Sequence, residues 1–414
     1  MCIRDSNKEV LLAKFQIPGG LDLDKPQYNL GKFLTEANYP YGRIIQAYGT
    51  DFSMVLAKKS PFPTSVMADW ETAKKCDRRK FPIGVDDLGN PVYWDTKTTP
   101  HLLISGKSGS GKSSASQIVI AEALLKGEDI ILIDPSKGCI DFTQWAKPKA
   151  LAFVGLYQLR ETEAVISWAR EEMAERVRIN NKYGVGNIFE LNPDDVEEAD
   201  RKHLKPLNIL FDEFNSYLQE TGKTTQNPQK DMQIANDNAA VSATNASIAR
   251  TMSALSKIIV QGRTAGIRCI FGAQRLTMDD MKKYNGNAFF RSLGRILLGM
   301  DSPAGVVSAQ NLSEANRTQK SLKNEDGLIP VGRGMYESMQ GTLMAVQTWY
   351  SGGQDELAKL VADIPNPEPI DYQQYMPRAA EQFTKLDVED IKEIFTSNNG
   401  SENVEDEDVE EEEW

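Results

Sequence analysis

Residues 101–120 read HLLISGKSGSGKSSASQIVI and hold Gly106, four residues, then Gly111, Lys112, Ser113 and Ser114. This spacing suits one task. Glycines let successive backbone N–H groups turn inward around phosphate oxygens, and the N-terminus of a following helix adds its positive end. Lys112 would reach the β- and γ-phosphates of ATP, and the Ser113 hydroxyl would bind Mg²⁺. Gly106, Lys107, Ser108, Gly109, Ser110, Gly111, Lys112, Ser113 and Ser114 are therefore the expected cofactor-binding loop. A chance glycine turn would not need a strand before it and a helix after it, and both are present here.

A second group fits the first. LNILFDEF (207–214) is a short apolar run ending in two acids. Asp212 would hold Mg²⁺ through water, and Glu213 would polarise the water that attacks ATP. The two motifs are those of a Walker A loop and a Walker B strand. DIILID (129–134) falls between them in sequence, which suits the P-loop class with an additional strand between the two motifs.

Such side chains must stand at the ends of strands. Five candidates are HLLIS (101–105), DIILID (129–134), LNILFD (207–212), IRCIFGA (267–273) and GRILLGM (294–300), each short, apolar and bounded by Gly, Pro or polar residues. GTLMAVQTWY (341–350) is expected as a further strand at an edge. SSASQIVIAEALLKG predicts a helix closing at Gly127. YGRIIQAYGTDFSMVLAKK predicts two strands about a Gly-Thr-Asp turn, and AAEQFTKLDVEDIKEIF a short helix after a proline-rich linker. The opening MCIRDS fits nothing downstream. The expected fold is α/β: a RecA-like P-loop NTPase core with a mainly parallel sheet flanked by helices. Its expected divisions are an N-terminal region (1–80), a motor domain (81–355), a linker and short helix (356–400) and a disordered acidic tail (401–414).

Composition bounds the rest. The net charge of −12 falls to −3 without the tail SENVEDEDVEEEEW, so no bulk basic field announces a nucleic-acid partner. No apolar run approaches the roughly 18 to 20 residues of a membrane span, and a cytoplasmic protein is expected. Cys2, Cys76, Cys139 and Cys269 make no CxxC, and His101 and His203 stand far apart, which disfavours a zinc site.

Six segments, in order, resemble the FtsK/SpoIIIE family of hexameric DNA translocases: FPIGVDDLGNPVYWDTKTTPHLLISGKSGSGKSS, IILIDPSKG, SWAREEMAERVRINNKYGVGNI, ILFDEF, GRTAGIRCIFGAQR and GRGMYESMQGTLMAVQTWY. The resemblance implies that Arg263 acts in trans on a neighbour's ATP and that Gln274 senses the γ-phosphate. Lys112, Glu213, Arg263 and Gln274 then form the catalytic set, with Arg268, Arg291 and Arg295 next in line should Arg263 fail. It also implies ATP-driven movement of double-stranded DNA by a homo-oligomeric ring, a hexamer. Candidate DNA-gripping residues are Arg275, Lys282, Lys283 and Arg291. A type VII secretion-like ATPase moving protein substrates is the alternative, and a nucleotide-gated binding module with little turnover is another. Two departures stand out. Residues 216–256 are polar and longer than the family's usual connection, and are expected to form either a disordered insert or a loop near the pore, disorder being the favoured of the two. Residues 300–304, Met-Asp-Ser-Pro-Ala, lack the base often found in the pore loop there.

Overall fold

The computed structural model describes residues 3–6, 10–16, 38–39, 41–48, 51–218, 232–277, 279–284, 286–299, 306–324 and 326–377. The predicted helix at 379–395, the acidic tail and the 300–304 segment lie outside the described residues. Met1–Tyr375 form one compact unit and Met376–Trp414 a second.

Four strands of the first unit form a small antiparallel sheet: β1 (Ile3–Ser6), β2 (Val10–Gln16), β3 (Tyr41–Tyr48) and β4 (Asp51–Ala57), in the order β1-β2-β4-β3. The predicted pair about Gly-Thr-Asp is β3 and β4. The opening residues do find a partner, for Ile3–Ser6 pair with Val10–Ala13. Tyr41, Val55, Ala57 and Phe62 bury themselves against Ala315, Leu322, Met335, Leu343 and Ala345, which joins this sheet to the rest of the unit.

The large sheet holds β5 (Lys80–Val85), β6 (Pro91–Asp95), β7 (His101–Gly106), β8 (Asp129–Ile133), β9 (Ala152–Val154), β10 (Leu207–Phe211), β11 (Ile267–Ala273), β12 (Leu293–Leu298), β13 (Arg333–Glu337) and β14 (Leu343–Thr348). Their order is β6-β5-β14-β13-β12-β7-β11-β10-β8-β9. From β12 to β9 every pairing is parallel, and from β12 through β13 and β14 to β6 every pairing is antiparallel. The five expected strands are all present within a residue or two. The last is misplaced in expectation: β14 is not an edge, because the β5–β6 hairpin pairs along its far side.

Residues alternate across these strands with period two. Leu103, Ile131, Ile133, Ile209, Phe211, Cys269 and Phe271 face one layer. Leu102, Ile104, Ile130, Leu132, Leu210 and Ile270 face the other. Both faces are covered, so the strands read as unbroken apolar runs. Helix α1 (Trp70–Lys75) precedes β5. Helix α2 (Lys112–Leu125) is buried nearly all round, from Ala115 to Leu124, and Gly127 (φ 71°) follows it as predicted. On the other face lie α3 (Leu159–Tyr183), ended by Gly184 at φ 68°, and α4 (Met232–Gln261).

Helix α4 corrects the expectation of disorder for residues 232–256, while 219–231 lie outside the described residues. Buried Ser247, Ile248, Thr251, Met252, Leu255, Ile258 and Ile259 recur at the 3.6-residue period and pack under the sheet with α3 residues. Small and hydroxyl residues occupy much of the stripe, so composition alone reads as polar.

Buried His101 opens β7. Its Nε2–H donates to the Ile259 carbonyl (3.0 Å), and its Nδ1 accepts the Cys269 N–H (3.0 Å). Burial pulls its pKa down to about 4, with nearby Arg268 adding to the drop against the Ile259 bond. A histidine depressed from 6.5 stabilises the fold above pH 6.5 and loses that contribution as pH falls toward 4. Between pH 7.5 and 5 the loss should be about 2 kcal/mol. Buried Glu122, whose burial raises its carboxyl, changes in the opposite sense over the same window. The test is therefore a difference: urea unfolding of wild type and His101→Gln at the two pH values should show wild type losing about 2 kcal/mol more. An equal loss in both would exclude the histidine.

Candidate nucleotide site

The site lies where β7, β8, β10 and β11 end, because parallel strands deliver their following loops to one end of the sheet. The Gly106–Ser114 loop leaves β7 and enters α2 through Gly111, at φ 98°. A Cβ on Gly111 would lie 2.8 Å from the Gly332 nitrogen, and one on Gly106 would lie 2.8 Å from the Leu298 carbonyl oxygen. Both glycines are required by closeness of backbone to backbone. The Gly332 N–H donates to the Ser110 carbonyl (2.8 Å) and ties the loop to the turn before β13.

Lys112 opens α2, and its ammonium donates to Asp212 Oδ1 (3.2 Å) and Glu213 Oε2 (3.1 Å) at the end of β10. Burial alone would lower the Lys112 pKa. The two carboxylates outweigh it and hold the ammonium above the usual lysine range. Asp212 sits on Gly272 of β11, where a Cβ would fall 2.0 Å from its Oδ1. Glu213 is held at φ 48°, and its own N–H donates to Asp212 Oδ1 (2.9 Å). Gln274 follows β11 directly, and its side-chain amide donates to Glu213 Oε1 (2.9 Å). The Gln274 N–H donates in turn to Asn215 Oδ1 (3.1 Å).

A further side chain joins this group without having been singled out in the sequence. Lys137, on the turn after β8, donates to Glu213 Oε2 at 2.8 Å. Burial pushes the Glu213 carboxyl up, but the Lys137 hydrogen bond and the Lys112 charge outweigh it and hold the group below the ordinary glutamate value. The only sequence signal for Lys137 was its place in IILIDPSKG. Its strand had to be known as the neighbour of β10 before that mattered.

Together these groups can bind a polyphosphate at one end and direct a carboxylate toward it. Two buried loop hydroxyls, Ser110 Oγ and Ser114 Oγ, have no hydrogen-bond partner among the described residues. With Ser113 and Asp212 they supply the hard oxygen donors that Mg²⁺ prefers, and the carboxylates already gather a cation in the Lys112 ammonium. The residues present fit a magnesium nucleotide.

Arg263 stands apart from them. It is exposed on the turn between α4 and β11, four residues before β11 begins. Gln274 follows the end of the same strand, so the two are separated by the strand's seven residues, about 20 Å. The turn is fixed from α3 and beyond: Arg176 donates to the Ala265 carbonyl, and Asn180 and the Ile188 N–H donate to that of Thr264. Arg263 is thus presented on a rigid support at the pole opposite Lys112.

The remaining arginine candidates separate cleanly. Arg268 is buried and paired with Glu128, and Arg295 is buried and paired with Glu337, so neither can act on another chain. That corrects their place as alternatives to Arg263. Arg291 is exposed at the end of α5 (Gly286–Arg291), two residues before β12, at the Arg263 pole. Arg275 is exposed beside Gln274 at the opposite pole, and Lys282 is exposed in a short turn, Lys282–Tyr284, that includes Lys283. The four proposed DNA contacts therefore do not share one pole of the sheet.

The model of a family described as FtsK/SpoIIIE matches residues 65–278, just over half of the chain. DNA translocase SftA of Bacillus subtilis (strain 168) is 30% identical over 136 residues, 32% of this chain and 14% of the relative. DNA translocase FtsK 2 of Neisseria meningitidis serogroup A is 25% identical over 233 residues, 50% of this chain and 20% of the relative. The chain thus aligns with a fifth or less of these relatives' length. The same fold occurs in the monomer form of the pCW3 conjugation coupling protein TcpA with ATPγS, at TM-score 0.57 and 17% identity over 87% of this chain and 92% of that one. It occurs too in ATPases 2 and 3 of EssC from Geobacillus thermodenitrificans, at TM-score 0.52 and 16% identity over 75% and 54%. Among the described residues no helix is long and apolar enough to cross a membrane.

Proposed function

The chain belongs to the FtsK/SpoIIIE family, and from that premise we propose that it is an ATP-driven translocase of double-stranded DNA, working as a homo-hexameric ring. The observation that carries the reading is polarity. The groups able to bind and hydrolyse ATP meet at one end of the sheet, while the exposed Arg263 stands on a braced turn at the other. On this reading a chain relies on a neighbour's Arg263 to complete its site. Head-to-tail packing brings the arginine pole of one copy to the loop of the next, and repetition of that contact closes a ring.

Within each site the loop N–H groups and Lys112 would hold the phosphates, and Ser113 and Asp212 the Mg²⁺. When bound, the ion would supply charge neutralisation to the phosphates. Glu213 would accept the proton of the attacking water. Gln274, bonded to Glu213, would report the γ-phosphate to the segment that follows β11. The Arg263 of a neighbour would stabilise charge on the phosphoryl group in transit. Arg275, Lys282, Lys283 and Arg291 remain the proposed contacts to the DNA backbone, which carry no sequence information. Their spread over both poles suits a duplex that passes along the sheet rather than across one end.

The deciding experiment is ATP turnover with and without linear duplex DNA, paired with particle mass in the presence of ATP. Stimulated turnover by particles of six chains is expected. A chain that stays monomeric and ignores DNA would refute the reading.

A further inference from the structure

We propose that Lys137 is a positioning residue that restrains Glu213, so that hydrolysis proceeds only when the Lys137 ammonium leaves the carboxylate. The inference rests on the ATPase reading and adds a control point to it. Among the described residues three side chains meet Glu213, and both its oxygens are engaged: Oε1 by Gln274 at 2.9 Å, Oε2 by Lys112 at 3.1 Å and by Lys137 at 2.8 Å. Lys112 has another task. Once it turns to phosphate oxygens, Lys137 is the cation still on Oε2. A general base with an ammonium on its acceptor oxygen has fewer lone pairs to offer water.

The placement of Lys137 is built into the fold. The Asp134 carboxylate accepts the N–H groups of Ser136 (3.1 Å), Lys137 (2.8 Å) and Cys139 (3.0 Å), which shapes the whole turn around one buried acid. The Gly138 N–H returns to the Asp134 carbonyl at 2.8 Å, with Gly138 at φ 78°. The Asp134 N–H donates to Val154 (3.0 Å), and Pro135 accepts the Tyr157 N–H (2.9 Å), so β9 and its following loop brace the turn from outside. The lysine's stem is 57% exposed while Glu213 is 3% exposed, so the ammonium reaches in from solvent and can withdraw to it without leaving a buried unpaired cation.

The test uses the full chain carrying Lys137→Met or Lys137→Arg, with ATP turnover measured against ATP concentration, without DNA. For Lys137→Met, KM should stay within about twofold of wild type, because the phosphate-binding groups are untouched. Its kcat should rise roughly threefold to tenfold. Lys137→Arg should track wild type. A fall in kcat restored by arginine would overturn the proposal in favour of direct phosphate contact, and unchanged constants in both variants would reduce the pair to an incidental one. Absence of turnover in wild type itself would instead defeat the ATPase reading, and this inference with it.

Discussion

Glu213→Gln is expected to bind ATP with near-normal affinity and to hydrolyse it about 100-fold or more slowly. The substitution keeps size and shape at a site where space is short. Glu213 is almost wholly buried at φ 48°, and it precedes the turn Phe214–Tyr217, whose Phe214 is packed against Phe211 and Phe271. A glutamine amide can still give its oxygen to Lys112 and Lys137, so the fold and the phosphate loop should survive. What is lost is the negative charge that would take a proton from water. Lys112 keeps Asp212 as a partner at 3.2 Å, so nucleotide affinity has no reason to fall far. A fluorescent ATP analogue titrated into the variant, beside steady-state turnover, separates the two quantities. Affinity lost as severely as in Lys112→Ala would make Glu213 a structural residue of the loop rather than a base.

That prediction draws on residues the sequence exposes, and the reason is local. Lys112 and Ser113 open the helix that follows the loop after one short strand, Asp212 and Glu213 follow the end of another, and the spacing within each motif points to its chemistry. The strands themselves were legible because helices cover both faces and the apolar runs are unbroken. Helix α4 was not, because its stripe at Ser247, Thr251 and Ala254 uses small and hydroxyl side chains in place of Leu or Val. The place of β14 was not, because edge or interior depends on where the β5–β6 hairpin, some 250 residues earlier in the chain, comes to lie.

The least legible features are pairings between distant residues. Arg268 and Arg263 are five positions apart and look alike as candidates for a trans arginine. One is buried against Glu128, 140 residues away, and the other is exposed on the turn before the same strand. Lys137 is likewise joined to Glu213 across 76 residues. Partner choice over such distances is set by which strands become neighbours, and periodicity within a segment carries no trace of it.

The second large effect is expected at Arg263. Subunits with Arg263→Ala should bind ATP in their own loops and lose on the order of 10³-fold in turnover. The turn should remain, since its carbonyls and not the arginine side chain make the contacts to Arg176, Asn180 and Ile188. Mixing these subunits with Lys112→Ala subunits should restore part of the activity. Where an intact loop from the Arg263→Ala chain faces an intact Arg263 from the Lys112→Ala chain, one whole site is rebuilt. An arginine acting in cis gives no rescue, because neither chain then holds a complete set. The topology already disfavours the cis case: Arg263 and Gln274 bracket β11 from opposite ends, about 20 Å apart, and an arginine side chain spans far less than that. Near-normal hydrolysis by Arg263→Ala alone would remove this residue from the site. Arg268 and Arg295 could not replace it, since both are buried in ion pairs within their own chain. Arg291, exposed at the same pole and two residues before β12, would then be the residue to substitute next, with the same mixing test against Lys112→Ala.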